Sequence, residues 1–277
     1  MIELKKNDYH KALKELLKVE INNLFARAVV ENHVSGKVYV DQQEEPSTFY
    51  VVHPYGMSLL FGKHDNEEFN LQFKEHALNT KGKRDTHIWM QAFPNMWHNE
   101  LETLFAGCSI DSSANKTKNQ TEQIIELNTR VNFKFDADKF NALQNKLRVP
   151  SVRLKSTTEK EFESMKGSVI PKNFWDNYDD FKKNGVGFST YIDDELACTA
   201  FSSCIMDDFL ELGMETVPEH RGKGMAVYTC AQLVEYSLEH GYEPIWACSL
   251  ANKGSYELAK KLGFEVSLQI PYYRLSK

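Results

Sequence analysis

Long apolar runs are missing from this chain. Nothing approaches the ~18 apolar residues that a membrane-crossing helix needs, so a bilayer is not an expected partner. The start, Met1-Ile-Glu-Leu-Lys-Lys-Asn-Asp8, has charges with no apolar stretch after them, so no secretory leader is expected. Cysteines are few: five, at positions 108, 198, 204, 230 and 248, with no Cys-x-x-Cys pair. An odd, scattered set argues against a disulfide framework and a zinc site, which makes a reducing, cytoplasmic setting the expectation. Cys108, in Gly107-Cys-Ser109, has no histidine pattern near it and is not expected as a nucleophile. Cys198 and Cys204, an even number of residues apart on an expected strand, are expected to share a face as small buried apolar residues. The nine histidines contain no His-Glu-x-x-His, so no metal is expected. Positive charge is not in excess: 33 Lys and Arg stand against 39 Asp and Glu, a net charge of −6. That makes the chain a poor candidate for a general nucleic-acid binder; a mildly negative field would favour cationic substrates, with simple solubility as the competing and preferred reading.

What is present is ordinary globular material, 42% hydrophobic and 26% charged. The 277 residues exceed a typical domain of about 100–200, so two domains are expected. Leu13, Leu16, Leu17, Ile21, Leu24 and Phe25 recur at helical spacing, which predicts a helix over 7–33 with Asn7 or Asp8 as its cap. Strands are expected at 37–41, 48–52, 57–61 and 87–93, and helices at 67–78 and 96–105. The polar, aperiodic stretch 111–121 is expected as a mobile loop. Residues 130–135 alternate like a strand, and Asp136 is placed to cap a helix reaching Lys146. Leu147-Arg-Val-Pro150 is the expected boundary, dividing the chain into domains 1–148 and 149–277. After it come a short strand near 152–154, a helix opened by a Thr158-x-x-Glu161 capping box, and one or more helices in 171–183. A hairpin of 185–193 and 195–204 should turn at Asp193-Asp194, and 265–274 should close the chain as a strand.

One stretch carries the chemistry. Phe209-Leu-Glu-Leu-Gly-Met-Glu-Thr216 alternates, with Leu210, Leu212 and Met214 on one side and Glu211 and Glu215 on the other. Pro218, with no N–H to donate, ends the ladder. Val227, Ala231, Val234 and Leu238 then repeat at helical spacing, and Gly241 suits a C-cap. Arg221-Gly-Lys-Gly-Met-Ala226 therefore lies where a strand gives way to a helix. N–H groups at a helix start are unpaired and the dipole adds partial positive charge. A phosphate or pyrophosphate fits there, and Gly222 and Gly224 let the backbone come close. A plain strand–turn–helix corner is the competing reading. A P-loop would need Ser or Thr after Lys223, where Gly224 stands. A dinucleotide fingerprint would need glycine at Val227 and an acid ending the next strand, whereas Glu243 precedes that strand.

Arg221-x-x-Gly224-x-Ala226, after a strand ending in Thr216-Val-Pro-Glu-His220, resembles the acyl-CoA pyrophosphate loop of the GNAT N-acetyltransferases. A second segment agrees: Trp246-Ala-Cys-Ser-Leu-Ala-Asn252 reads as the next strand. Asn252-Lys-Gly-Ser255, Leu258-Ala259 and Lys261-Leu-Gly-Phe264 then resemble the family's late helix and its closing Leu-Gly-Phe. Glu215-Thr216, Trp246, Asn252 and Ser255 look most like the zwittermicin A resistance type. The resemblance covers Val149 to Lys277. It implies an α+β (mixed α/β) chain: a C-terminal GNAT-type sheet, mixed and mostly antiparallel, flanked by helices, after a smaller α/β N-terminal domain. Gly36-Lys-Val-Tyr-Val-Asp41 followed by Thr48-Phe-Tyr-Val-Val52 echoes Gly187-Phe-Ser-Thr-Tyr-Ile-Asp193 followed by Ala197-Cys-Thr-Ala-Phe201. The N-terminal half is accordingly read as a degenerate GNAT-like copy without the cofactor loop, with coincidence between two hairpins as the competing explanation.

The resemblance also implies acetyl-CoA as co-substrate and a small-molecule primary amine, antibiotic-like or metabolic, as acceptor. No nucleic acid, membrane or metal is implied, and a homodimer remains open. Met214, Glu215 and Thr216 match the positions that line the pantetheine. Arg221, Gly222, Lys223, Gly224, Met225 and Ala226 match the pyrophosphate cradle, and Asn252 and Ser255 match later cofactor contacts. The side chain of Lys223 reads as a solvated loop charge. Attack on a thioester needs a neutral amine, a stabilised oxyanion and close placement of the reactants. Glu215 is the expected base and Glu211 the second choice, against the competing reading of salt-bridged strand glutamates. The family's usual tyrosine acid is replaced by Ala259, with Tyr256, Tyr272 and Tyr273 as candidate substitutes. Two rivals stand beside this reading: a non-catalytic acyl-CoA-binding regulatory module, and a nucleotide-dependent enzyme using the same loop.

Overall fold

A computed structural model describes residues 1–111, 124–147 and 152–277. Beyond Asp111, the expected mobile loop lies outside the described residues, as does the expected boundary at 148–150. Two compact units emerge: Met1–Arg130 with Ser249–Ala251 and Gln269–Lys277, and Val131–Cys248 with Asn252–Leu268. One cut after residue 148 does not describe them. Residues 131–147 belong to the second unit because the ladder and the rings hold them there. Phe133 N–H donates to the Trp246 carbonyl (3.1 Å), Asp136 N–H to that of Gly263 (2.9 Å), and Phe135 meets Phe264 edge-on at 5.1 Å.

The first unit begins with β1 (Ile2–Glu3) and a 3-10 stretch, Lys6–Ala12, then α1 (Leu13–Leu16) and α2 (Leu24–Val30). The single helix expected over 7–33 is thus broken, and Lys5 rather than Asn7 or Asp8 stands at the cap. The Asn23 side-chain amide explains the break. It donates to the carbonyls of Leu16 (3.3 Å) and Val19 (3.0 Å), which a continuing helix would have bonded in line. β2 (Lys37–Val40), β3 (Thr48–Val52), β4 (Met57–Gly62), α3 (Glu67–Ala77), β5 (Ile88–Phe93) and α4 (Met96–Leu104) follow, close to expectation. Then come β6 (Ser109–Asp111) and β7 (Ile125–Phe135), which pair in parallel. The first five strands of the sheet run β1-β2-β3-β4-β5, antiparallel except for the parallel β4–β5 pair, and the last strand of the chain (264–275) and then β7 continue it beyond β5. Tyr50, Leu60, Phe73, Met90 and Trp97 form part of a dry core.

The second unit contains α5 (Ala137–Gln144), whose N-cap Asp136 accepts from Lys139 N–H as expected, and β8 (Arg153–Ser156). α6 (Glu159–Ser164) opens with the expected Thr158/Glu161 capping box. After α7 (Tyr178–Asn184), β9 (Gly187–Ile192) and β10 (Glu195–Met206) meet at Asp193 (φ 48°) and Asp194 (φ 65°). Two consecutive left-handed residues suit a two-residue type I′ hairpin. β11 (Phe209–Thr216), α8 (Met225–Glu239), β12 (Glu243–Ile245), β13 (Ala247–Ser249), α9 (Lys253–Lys261) and β14 (Phe264–Leu275) follow, with Ser249 and the part of β14 from Gln269 onward counted in the first unit. Between Ser202 and Cys204 two residues of β10 face one of β11, a bulge that reverses the side-chain alternation. Cys198 therefore pairs with Thr216 and Cys204 with Glu211, and the two thiols lie on opposite faces, not on one.

The strand order β8-β9-β10-β11-β12, antiparallel until a parallel last pair, repeats the order and senses of β1-β2-β3-β4-β5. The sequence echo falls on β2–β3 and β9–β10, which hold equivalent places. The N-terminal half is thus built to the same topology as the C-terminal one.

Candidate active site

Two neighbouring strands part early, and that opens the site. β12 stays beside β11 only where Phe209–Glu211 face Glu243–Ile245. The strand expected over Trp246–Asn252 is confined to β13, separated from β12 by Trp246, and β13 joins β7 instead. Past Glu211, the edge of β11 that faced β12 has lost its ladder. Met214, Glu215 and Thr216 line a cleft of about 640 Å³ there, within the range of about 300–1,000 Å³ typical of ligand sites, and the Thr216 carbonyl accepts from Arg221 Nε at 3.2 Å.

The loop after β11 supplies one end of this cleft. A turn at Pro218–His220 leads to Arg221 in extended conformation, then Gly222 at φ 78° and Gly224 at φ 80°. Gly224 is the N-cap of α8 and no side chain caps it. The first ladder bond runs from Tyr228 N–H to the Gly224 carbonyl, so the N–H groups of Met225, Ala226 and Val227 are not used by the helix. A Cβ added at Gly222 or Gly224 would meet nothing within 4 Å. The glycines are there for their left-handed backbone, and the space before them is open to an anion. From below, Met225 packs on Ala197 and Cys198, and the Thr229 hydroxyl donates to the Met225 carbonyl at 2.8 Å. Thr216 donates to Cys198 Sγ at 3.4 Å, and burial pushes that thiol up, which keeps it out of thiolate chemistry.

On the opposite side, Asn252 caps α9 by accepting from Ser255 N–H at 3.1 Å. The buried Trp246 donates its indole N–H to Ser255 Oγ at 3.1 Å, which fixes the serine. All the residues expected to touch cofactor line this one cleft except Lys223, whose Nζ lies 3.3 Å from His220 Nδ1. His220, Val227, Gly254, Glu257, Leu258 and Lys261 also line it, and so do Ser168 and Val169. Gly254, Leu258 and Lys261 sit one and two helical turns apart, so the face of α9 was readable by spacing once its first turn was known. Nothing in the sequence marks Ser168 and Val169.

Those two residues are brought in by Glu215. Its Oε2 accepts the N–H of Ser168 at 3.0 Å and of Val169 at 3.3 Å, and its Oε1 lies 3.3 Å from Arg221 Nη2. The carboxylate side chain is only 12% exposed, the arginine 62%. Gly167, at φ 147°, lies so close that a Cβ there would stand 2.5 Å from Oε2. Glu211 is buried outside the cleft lining. Ala259 is fully buried. Tyr256 packs edge-on to Phe133 at 5.7 Å, Tyr272 stacks on Trp89 at 4.9 Å, and Tyr273 meets His98 Nδ1 at 3.2 Å. Burial pushes Tyr273 up to about 12. None of these tyrosines lines the cleft.

The equivalent corner of the first unit is closed by three devices. β4 and β5 stay paired from Met57–Trp89 through Phe61–Phe93. Trp97, on the helix equivalent to α9, donates its indole N–H to the Gly62 carbonyl at 3.2 Å. The helix equivalent to α8 is capped by Asn66, which accepts Phe69 N–H at 3.1 Å, and carries Glu67 and Glu68 in its first turn. A filled cap and two carboxylates repel an anion where Gly224 would receive one.

Comparison with known proteins agrees with this geometry. A family model for GNAT acetyltransferases matches residues 14–273. The uncharacterized N-acetyltransferase YdfB of Bacillus subtilis (strain 168) is 21% identical over 274 residues, 98% of this chain and 97% of that one. The fold is similar to that of a GCN5-related N-acetyltransferase-like protein from Streptococcus suis 89/1591, with TM-score 0.69, 17% identity, and 97% and 99% of the two chains covered. It is also similar to a tandem GNAT protein from the clavulanic acid biosynthesis pathway, with TM-score 0.59, 12% identity, and 99% and 97% covered. The doubled topology, the parted strands and the uncapped glycine corner fit these matches, and the chain belongs to the GNAT acetyltransferase family.

Proposed function

We propose that the protein transfers an acetyl group from acetyl-CoA to a primary amine of a small molecule by direct attack on the thioester. One observation carries this: the freed edge of β11 at Met214–Thr216 and the uncapped start of α8 line the same cleft. A pantetheine arm has amides to pair with that edge, and a diphosphate has the N–H groups from Gly222 to Ala226, with Arg221 and Lys261 as cations nearby. When bound, the co-substrate supplies the activated acetyl group. The neutral amine attacks the carbonyl carbon, the C–N bond forms, the C–S bond breaks, and the thiolate leaves. The amine proton goes to solvent or to the departing sulfur. Main-chain N–H groups of β11 are the donors available to the developing oxyanion.

Within this reading Glu215 holds the Ser168–Val169 segment and Arg221 in place. Proton acceptance from the amine, the role expected from sequence, is a second task open to the same carboxylate. The zwittermicin-type pattern in Glu215-Thr216, Trp246, Asn252 and Ser255 supports an amino-bearing natural product as acceptor, and a metabolite amine is the other class. A non-catalytic acyl-CoA-binding module is favoured by one observation, the fully buried Ala259 where the family's tyrosine would stand. A thermal-shift panel of acetyl-CoA, longer acyl-CoAs, ATP and NAD, followed by a free-thiol release assay across amines, decides. Stabilisation by acetyl-CoA with amine-dependent thiol release supports transfer, and stabilisation without release supports the module. Stabilisation by ATP or NAD only overturns both.

A further inference from the structure

Another cleft, of about 470 Å³, is lined by residues of the first unit alone and shares none of them with the cleft at α8. Its walls come from β1, β2, the C-terminal half of α3 and the loop that follows. The chain as a whole is acidic, at −6, yet four cationic side chains and two carboxylates line this space. Both carboxylates are matched: Glu3 with Lys37 Nζ at 3.4 Å and Glu75 with Lys81 Nζ at 3.1 Å. Lys83 and Arg84 are left over. Asn79, at φ 52°, sets both in place: its Oδ1 accepts the N–H of Lys83 at 2.9 Å and of Arg84 at 3.1 Å, and its Nδ2 donates to the Arg84 carbonyl at 3.0 Å. Arg84 donates to the carbonyls of His76 at 2.9 Å, Ala77 at 2.8 Å and Ser276 at 3.0 Å. Among the described residues the exposed Lys83 ammonium has no ion-pair partner.

Carbonyls satisfy the donors of Arg84 but carry no net charge, and the end of α3 offsets about half a unit at most. His76, which also lines the cleft, registers the surplus: it is pushed down to about 4 first by burial and then by Arg84 and Lys37. A positive cleft on a negative chain concentrates anions. A phosphate group carries about −1.5 to −2 near neutral pH, close to the charge that Lys83 and Arg84 leave unmatched once the helix end is counted. The volume lies within the range of about 300–1,000 Å³ for small-molecule sites, and Tyr39 and His76, with ring centres 5.4 Å apart, give the cleft an aromatic wall. We infer that this cleft binds a phosphate group, free or carried by a small molecule, with Lys83 as the free donor and Arg84 as the fixed charge.

The test watches His76 without acetyl-CoA, so it reads this cleft and not the glycine corner of α8, where phosphate also has N–H groups to meet. In NMR spectra of the full chain, the imidazole Cε1–H signal that is lost in His76→Gln identifies the reporter. It is followed near neutral pH as sodium phosphate or phenyl phosphate is added, against sodium chloride at equal ionic strength. In wild type the signal should move saturably with both phosphates and not with chloride. Lys83→Met should raise the Kd about 5–10-fold, and Lys83→Glu, which adds a repelling charge, still more. Lys83 is exposed, so both variants should fold, and unchanged signals from the other histidines check that they do. Binding of phenyl phosphate at least about threefold tighter than inorganic phosphate assigns the site to an organic monoester, and equal binding assigns it to free phosphate. A His76 signal that moves with neither phosphate, moves equally with chloride, or moves equally in wild type and Lys83→Glu overturns the inference.

Discussion

Glu215→Gln separates two jobs that one carboxylate can do. The amide oxygen can still accept from Ser168 and Val169, but the negative charge facing Arg221 is lost. Each N–H bond to a carboxylate contributes about 1.5–3 kcal/mol and a neutral one about 0.5–1.5. The pair with Arg221 contributes about 0–1 kcal/mol, because the guanidinium is 62% exposed and well screened. The glutamine should therefore cost about 1–3 kcal/mol, or roughly 2–8 °C in Tm, and Glu215→Ala more, since it also leaves both N–H groups without an acceptor. If the residue chiefly clamps, steady-state thiol release should show KM for acetyl-CoA rising about 3–10-fold with kcat changed less than about tenfold. A general base lost from the chemical step removes about 10²–10⁴ in kcat. A fall of that size in the glutamine variant, with KM unchanged and the acidic limb of the pH profile gone, refutes the clamp and restores the base.

Other outcomes follow from the same geometry. Gly224→Ala places its Cβ in open space, so only the left-handed backbone at φ 80° resists it, at about 1–2 kcal/mol. The Kd for acetyl-CoA should rise about 5–30-fold by calorimetry, and an unchanged value sinks the cradle. Titration of wild type should give one acetyl-CoA per chain, because Asn66 and the paired β4–β5 close the other corner; two sites would contradict that. Ser255→Ala leaves the indole N–H of the buried Trp246 without its partner and should cost about 1–3 kcal/mol in urea denaturation. His76 is pushed down to about 4, chiefly by burial and then by Arg84 and Lys37. Its folded value lies below its unfolded value of about 6.5, so the unfolded chain takes the proton first as pH falls. Stability is full above about pH 6.5 and drains by roughly 3 kcal/mol on approaching pH 4. His76→Gln should flatten that slope in denaturation midpoints compared at pH 7.5 and 4.5.

The sequence determined what is local. Alternation and a proline bound β11, helical spacing marked α8, the family resemblance marked α9, and Asp136, Thr158 and Asp193-Asp194 each sat where the cap or turn they encode was found. Two glycines between a strand and a helix marked the cradle, because a left-handed backbone leaves its trace in residue type. Tertiary structure decided the rest. No residue announces that β12 will leave β11 after three pairs, since strand parting depends on which ladder competes for the next segment. The bulge at Ser202–Cys204 moved a thiol to the other face without any signal in the spacing. Ser168 and Val169 entered the cleft through main-chain N–H groups, which every non-proline residue carries and which no sequence pattern distinguishes. The unit boundary follows the long-range pairing of β7 and β14, which the composition near residue 148 does not reveal.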